Sequence, residues 1–160
     1  MRKDTVMPAL SLEVLGPKPS PAVPDPAISR PDAPCVLVVE DMPILRRMIA
    51  QLLSRQGGYV VREAGTYLEA EALLVAVDVV ATDGYYPHHA GDVTGPWGLT
   101  LARLARAHGK RAVLVSGDIA LIEQAHREGF QALRKPEDIL ELVAALAEAG
   151  VSQSLEPAVG

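Results

Sequence analysis

Two apolar runs of this 160-residue chain end on carboxylates. "CVLVVED" (residues 35–41) delivers Glu40 and Asp41, and "VDVVATD" (77–83) delivers Asp83. Aspartate is a poor strand former and costly to bury, so acids at the ends of buried-type strands call for a chemical reason. Two further runs end on polar groups: "RAVLVS" (111–116) on Ser116, and "FQALRK" (130–135) on Lys135. Brought together, the three carboxylates repel one another and take up a cation or a proton. Hard oxygen donors with no convergent His or Cys favour Mg2+ or Mn2+ over zinc. A lysine beside them balances charge, and a serine hydroxyl holds a phosphoryl oxygen. Such a set suits phosphoryl transfer onto a carboxylate, with metal and lysine stabilising the charge of the transferred group.

These residues converge only if their strands lie side by side, and the pattern between them says that they do. "PILRRMIAQLLSR" (43–55) reads as an amphipathic helix with Leu45, Met48, Ile49 and Leu52 on one face and Arg46, Arg47 and Arg55 elsewhere. "GG" at 57–58 ends it, and "YVVREA" (59–64) gives the second strand. Thr66 and Glu69 have the spacing of a capping box for a helix "YLEAEALLVA" (67–76). The third strand, 77–83, leads through a Gly- and Pro-containing loop to the helix "GLTLARLARAHG" (98–109). The fourth strand is followed by "IALIEQAHREG" (119–129), and the fifth by "PEDILELVAALAEAG" (136–150), with Ile139, Leu142, Val143 and Leu146 on one face. Five strands, each followed by a helix, predict an α/β fold with a doubly wound parallel sheet covered on both faces. In such sheets the site lies beyond the carboxyl ends of the strands, where Glu40, Asp41, Asp83, Ser116 and Lys135 all fall.

Composition narrows the alternatives. The net charge of −5 and the lack of a basic cluster argue against a nucleic-acid surface. No apolar segment reaches the roughly 18 to 20 residues that span a bilayer, and the N-terminus is a poor signal peptide, so the reading is cytoplasmic without membrane insertion. The single cysteine, Cys35, permits no intramolecular disulfide and reads as a small core residue. Residues 1–33 carry seven prolines and read as a disordered, Pro-rich arm, with "LSLEVL" (10–15) as a candidate docking segment. Residues 34–149 form the folded domain and 150–160 a short flexible tail.

The chain resembles the response-regulator receiver domains of two-component signalling. The resemblance rests on "VVED" with its acidic pair, "ATDGYYP" with proline four positions after the aspartate, "VLVSGD", "RKP", and "EAGTYLEAEALL" after the second strand, together spanning residues 34 to 149. It implies the flavodoxin-like or CheY-like sheet, strand order 2-1-3-4-5. It further implies Asp83 as the phosphoacceptor, loaded by a histidine kinase or a histidine phosphotransfer protein. Asp41, with Glu40 assisting, Asp83 and the backbone carbonyl of Tyr85 would ligate Mg2+, or Mn2+ in its place. Ser116 would hydrogen-bond one phosphoryl oxygen and Lys135 would pair with another. The chain would then be no enzyme beyond its own phosphotransfer and dephosphorylation. No room for an output module follows Gly150, so the effect is expected through a downstream protein target, with a homodimer compatible.

The sequence also departs from that family. "HHAGDVTGPW" makes the segment between Asp83 and the helix glycine, Gly98, longer than usual. His88 and His89 within it read as a solvated loop rather than a metal site, and Trp97 as packing at the helix start. The aromatic residue that family members carry three positions before the lysine is Ala132 here, with Phe130 read as core. Tyr85 and Asp118 flank the expected site. These departures sustain one alternative, a pseudo-receiver that binds partners without phosphorylation. A haloacid-dehalogenase-type phosphatase is disfavoured because its second acid would stand where Tyr85 does. A dinucleotide-binding fold is disfavoured because no G-x-G-x-x-G follows the first strand.

Overall fold

A computed structural model describes residues 33–148. The arm and tail expected over 1–33 and 150–160 lie outside the described residues, apart from Ala33. Strand β1 (Cys35–Val39) is followed by α1 (Pro43–Gly57), β2 (Val60–Ala64), α2 (Tyr67–Leu73) with a 3-10 turn (Leu74–Ala76), and β3 (Val79–Asp83). Two short strands, β4 (Tyr86–Pro87) and β5 (Thr94–Gly95), precede α3 (Trp97–Ala107), β6 (Arg111–Ser116), α4 (Ile119–Arg127) and β7 (Gln131–Arg134). A 3-10 turn (Ile139–Glu141) then leads into helical residues 142–148, here α5. Five strands form one parallel sheet in the order β2-β1-β3-β6-β7, which is 2-1-3-4-5 when only its own strands are counted.

Alternation along the strands sorts the core onto two faces. Val36 and Val38 of β1 join Val79 and Ala81 of β3, Val113 and Val115 of β6, and Ile49, Leu53, Leu142 and Leu146 from α1 and α5. The intervening Leu37, Val39 and Val80 face the other way, onto Ala70, Leu74, Leu101 and Ala105 of the α2 and α3 segments. Leu114 lies on that second side too, against Leu99, Ala102, Leu121 and Ala125. Both faces of β1, β3 and β6 are therefore buried, which explains why these strands read as unbroken apolar runs.

Several elements differ from the sequence reading in register or extent. In α1 the residues that bury are Ile49, Ala50 and Leu53, while Met48 is 59% exposed. Periodicity supplies an apolar stripe but not which flank of it meets the sheet, and here the stripe is rolled by about one residue. The expected helix over 136–150 starts late. Lys135–Asp138 form a turn in which the Asp138 carboxylate accepts the Arg134 N–H at 3.1 Å, and the α-helix begins only at 142. Strand β3 starts at Val79 because Asp78 is engaged in a turn-like exchange, its N–H on the Cys35 carbonyl and its carboxylate on the Cys35 N–H, both at 2.8 Å. Thr66 caps α2 by accepting the Glu69 N–H at 3.1 Å. Glu69 itself reaches one residue further back than a capping box requires, to the Gly65 N–H at 2.8 Å.

The long segment after Asp83 is not a plain loop. Its β4 and β5 pair antiparallel, with Tyr86 opposite Gly95. Tyr86 is fully buried and shares a hydrogen bond with Thr82 across 3.0 Å, and the His88 carbonyl accepts the Leu68 N–H of α2 at 3.0 Å. The His88 ring stacks on Tyr67 at 5.3 Å and tilts against Trp97 at 4.5 Å. His88 is thus a packing residue, contrary to the solvated loop expected, whereas His89 is exposed. Trp97 packs at the start of α3 as expected.

Where this segment re-enters the fold, Gly98 donates its N–H to the Gly84 carbonyl at 3.1 Å. A Cβ on Gly98 would fall on the Asp83 carbonyl oxygen and lie 2.7 Å from the Gly84 Cα. Both are backbone, so the turn holding Asp83 would have to move. Gly98→Ala is expected to destabilise the protein by about 1–3 kcal/mol, the usual cost of overpacking, as measured by urea unfolding.

Candidate functional site

The strand order reverses between β1 and β3, and the crevice at their carboxyl ends is where a doubly wound sheet binds ligands. Glu40 follows β1 directly, and only 2% of it is exposed. Its backbone N–H continues the ladder to the Ala64 carbonyl at 3.1 Å, so sheet pairing holds the residue inside. One carboxylate oxygen accepts the Met42 N–H at 3.1 Å, and the other accepts from the Lys135 ammonium at 3.0 Å. Asp83 ends β3. Its Oδ1 accepts the Gly84 N–H at 2.7 Å and lies 3.2 Å from Lys135 Nζ. One ligand atom from each of Glu40, Asp41 and Asp83 lies within 4.8 Å of the others.

Ser116 ends β6 and is buried, its Oγ accepting the Asp118 N–H at 3.1 Å. It stands against the Asp83–Gly84 turn: a Cβ on Gly84 would come within 2.8 Å of its Oγ. Lys135 follows β7, its N–H bonded to the Ser116 carbonyl at 3.0 Å, so the sheet also fixes the lysine's starting point. The strand ends therefore bring all five predicted side chains to one rim. Lys135, Glu40, Asp41 and Asp83 form one charged group, and Ser116 borders it. Tyr85 sits next to Gly84 with its side chain turned to Asp118, where its hydroxyl donates to the carboxylate at 2.5 Å.

Burial raises the pKa of Asp83 despite the Lys135 ammonium and the Gly84 N–H, which both act to lower it. Asp41 is raised as well, first by burial and then by its hydrogen bond and charge interaction with Glu40. Burial disfavours the charged ammonium of Lys135. The Glu40 hydrogen bond and the Asp83 and Glu40 charges outweigh it and hold the lysine pKa above its usual value. The donor set is all oxygen, closely grouped and short of positive charge, which fits a hard divalent cation. Neither His88 nor His89 belongs to that group.

One contributor escaped the sequence reading. Arg46, read only as lying off the apolar face of α1, donates to the Glu40 carbonyl at 2.8 Å while its Nε lies 3.2 Å from Glu63. It braces the backbone that presents the acidic pair. Only the packing of α1 across the end of β1 reveals it, because three arginines in one helix look alike in sequence.

Comparison with solved structures finds this fold among known proteins. The chain is 31% identical to the signal receiver domain of an HD domain-containing protein from Pseudomonas fluorescens Pf-5, covering 78% of this chain and 99% of that one with a TM-score of 0.62. It is similar in fold to a response regulator receiver domain protein (CheY-like) from Methanospirillum hungatei JF-1 (21% identity, 78% and 99% covered, TM-score 0.63). A response regulator receiver domain protein from Clostridium thermocellum is similar to the same degree (24% identity, 76% and 98%, TM-score 0.63). No protein-family model and no curated protein matches the sequence.

The raised carboxyl pKa values carry a stability consequence. A folded-state pKa above the unfolded value means that the native protein binds the proton more tightly. Stability therefore falls as pH rises from the unfolded carboxylate pKa through the raised folded one. Asp83→Asn, which keeps an acceptor for Gly84 and Lys135, is expected to raise the melting temperature of the metal-free protein at pH 7. The gain should disappear as pH falls below the carboxylate range, which a calorimetric pH series would check.

Proposed function

Because this chain belongs to the receiver-domain family of response regulators, we infer that it accepts a phosphoryl group on Asp83 from a phosphohistidine donor, with a divalent cation, and acts through protein contacts. The observation that carries this reading is the grouping of Glu40, Asp41 and Asp83 within 4.8 Å beside Lys135. A histidine kinase or a histidine phosphotransfer protein is the donor class that the family implies. Exposed apolar side chains beside the acidic pair support a protein donor. Met42 and Ile44 are 58% and 77% exposed, and further along α1 a groove of about 320 Å3 runs between Leu45, Met48, Leu52 and Leu140.

In the transfer, an Asp83 oxygen forms the new P–O bond as the donor's N–P bond breaks, and the imidazole keeps the electron pair. The raised pKa of Asp83 makes its carboxylate more basic and a better nucleophile than an ordinary aspartate. Lys135, already 3.2 Å from the Asp83 carboxylate, stays beside the incoming charge. Ser116 can donate its hydroxyl proton to a phosphoryl oxygen while its Oγ still accepts from Asp118. Mg2+ held by Asp41, Asp83 and the Tyr85 carbonyl, with Glu40 behind them, would neutralise charge developing on the phosphoryl oxygens. Ala132 offers no aromatic ring to swing, so the added charge is expected to act through the loops carrying Ser116 and Lys135.

The test is incubation with acetyl phosphate and Mg2+, read by intact mass. One phosphoryl group should be added, and it should be absent in Asp83→Asn and without the cation. If neither mass nor a beryllofluoride-induced structural change appears, the phosphoacceptor reading fails and the pseudo-receiver takes its place.

A further inference from the structure

Thr82 and Tyr86 have no part in the chemistry above, yet they bracket the turn that carries Asp83. Both are fully buried, and Tyr86 lies among Val39, Val80, Leu101 and Ala105 on the α2–α3 side of the sheet. Valine and phenylalanine would fill the same space without bringing two hydroxyls into an apolar cluster, so the hydroxyls call for a reason. The Thr82 hydroxyl has one proton, and it goes to the Asp83 carbonyl at 2.8 Å. Its oxygen is therefore the acceptor in the 3.0 Å contact with the Tyr86 hydroxyl, and Tyr86 is the donor. Burial holds the Tyr86 hydroxyl far above its usual pKa, so it keeps the proton that it donates. The pair closes over residues 83–85. Inside, the Gly84 carbonyl accepts the Gly98 N–H at 3.1 Å, and the Asp83 carboxylate accepts the Gly84 N–H at 2.7 Å. The Tyr85 carbonyl, in contrast, accepts no hydrogen bond from the described residues. Tyr86 itself is paired with Gly95 across the inserted segment.

We propose that Thr82 and Tyr86 clamp the turn between them and so hold the Tyr85 carbonyl ready for a divalent cation bound by Asp41 and Asp83. Both are positioning residues, and the proposal rests on the phosphoacceptor reading with its cation. A carbonyl carries no net charge, so it adds to cation affinity mainly where the backbone need not reorganise to present it. Here the two preceding carbonyls are already committed, one to Thr82 and one to Gly98, and the residue that follows is tied back to Thr82. The Tyr85 peptide is thereby held on both sides. A buried polar network whose members are all satisfied specifies one arrangement, which an apolar pair at 82 and 86 would not do. Tyr86 also opens β4, so the residue that anchors the inserted segment in the core is the one that follows the ligand carbonyl.

Tyr86→Phe keeps the ring and removes only its bond to Thr82, Thr82→Val removes both bonds, and Thr82→Ser keeps both. Mn2+ would be titrated into each full-length chain and the free ion read by electron paramagnetic resonance, with thermal melting of the metal-free proteins alongside. Tyr86→Phe should bind Mn2+ about three- to tenfold more weakly than wild type, the range for one lost hydrogen bond. Thr82→Val should lose at least as much and should melt lower, because it leaves the buried Tyr86 hydroxyl without an acceptor. Thr82→Ser should bind as wild type does. Should Thr82→Val fail to fold, Tyr86→Phe and Thr82→Ser decide the matter. A purely structural pair would lower the melting temperature and leave Mn2+ affinity unchanged. That result, or an equal loss of affinity in Thr82→Ser, would overturn the clamp and leave the phosphoacceptor reading intact. A wild-type chain that binds no Mn2+, alone or with beryllofluoride, would overturn both.

Discussion

The charge balance around Glu40 governs the rest of the structure. A side chain that is 2% exposed must find its polar partners inside the protein, and the Glu40 carboxylate accepts from the Met42 N–H and the Lys135 ammonium while the Arg46 guanidinium holds its backbone carbonyl. Each comes from a different part of the chain. Lys135 arrives from the far edge of the sheet, 95 residues away in sequence, and only a parallel sheet with every strand end on one rim can bring it there. The same lysine touches Asp83 at 3.2 Å, so one ammonium serves two carboxylates. Asp41 and Asp83 nevertheless keep raised pKa values. That shortage of positive charge suits a hard divalent cation beside the carboxylates.

After Asp83 the chain runs through an inserted segment instead of a short turn. Tyr86, Thr82 and His88 anchor it to the core and to the start of α2, and Gly98 returns the chain against the Asp83 turn with no room to spare. The insertion therefore does not loosen the Asp83 carboxylate. It builds an aromatic group of Tyr67, His88 and Trp97 on the side of the sheet away from α1, and leaves Tyr85 free to reach across to Asp118. A neighbouring tie, Arg103 on Glu128 at 2.6 Å, links α3 to the end of α4. Its hydrogen bonds hold the Glu128 carboxyl down to about 2. Both ends of α4 are thus tethered, the first of them at the site.

How much of this was legible differed from residue to residue. Glu40, Asp83 and Ser116 could be read because each is a polar break in an apolar run, and a buried parallel strand tolerates such a break only at its end. Lys135 follows a weaker run, and its position became clear only in company with the others. Arg46 was missed because its partner is a backbone carbonyl, which has no signature in sequence. His88 was misread because adjacent polar residues in a Gly-rich segment resemble solvent-facing loop, while its stacking on Tyr67 and Trp97 depends on where α2 and α3 start. Met48, expected on the buried face, is exposed and Leu53 is buried for a related reason: helical periodicity gives a stripe, and the sheet beneath decides which edge of it is covered.

By itself, the sequence determined the alternation of strand and helix, the two-sided burial of the central strands, and the chemical types of the groups at their ends. Those follow from local rules of periodicity, turn chemistry and the cost of burying charge. Tertiary structure alone decided that Lys135 would bridge Glu40 and Asp83, that Arg46 would brace the acidic pair, and that Tyr85 would close on Asp118. Each of these is a contact of a few ångströms between residues far apart in the chain, and such contacts are fixed by how the strand ends and helices pack.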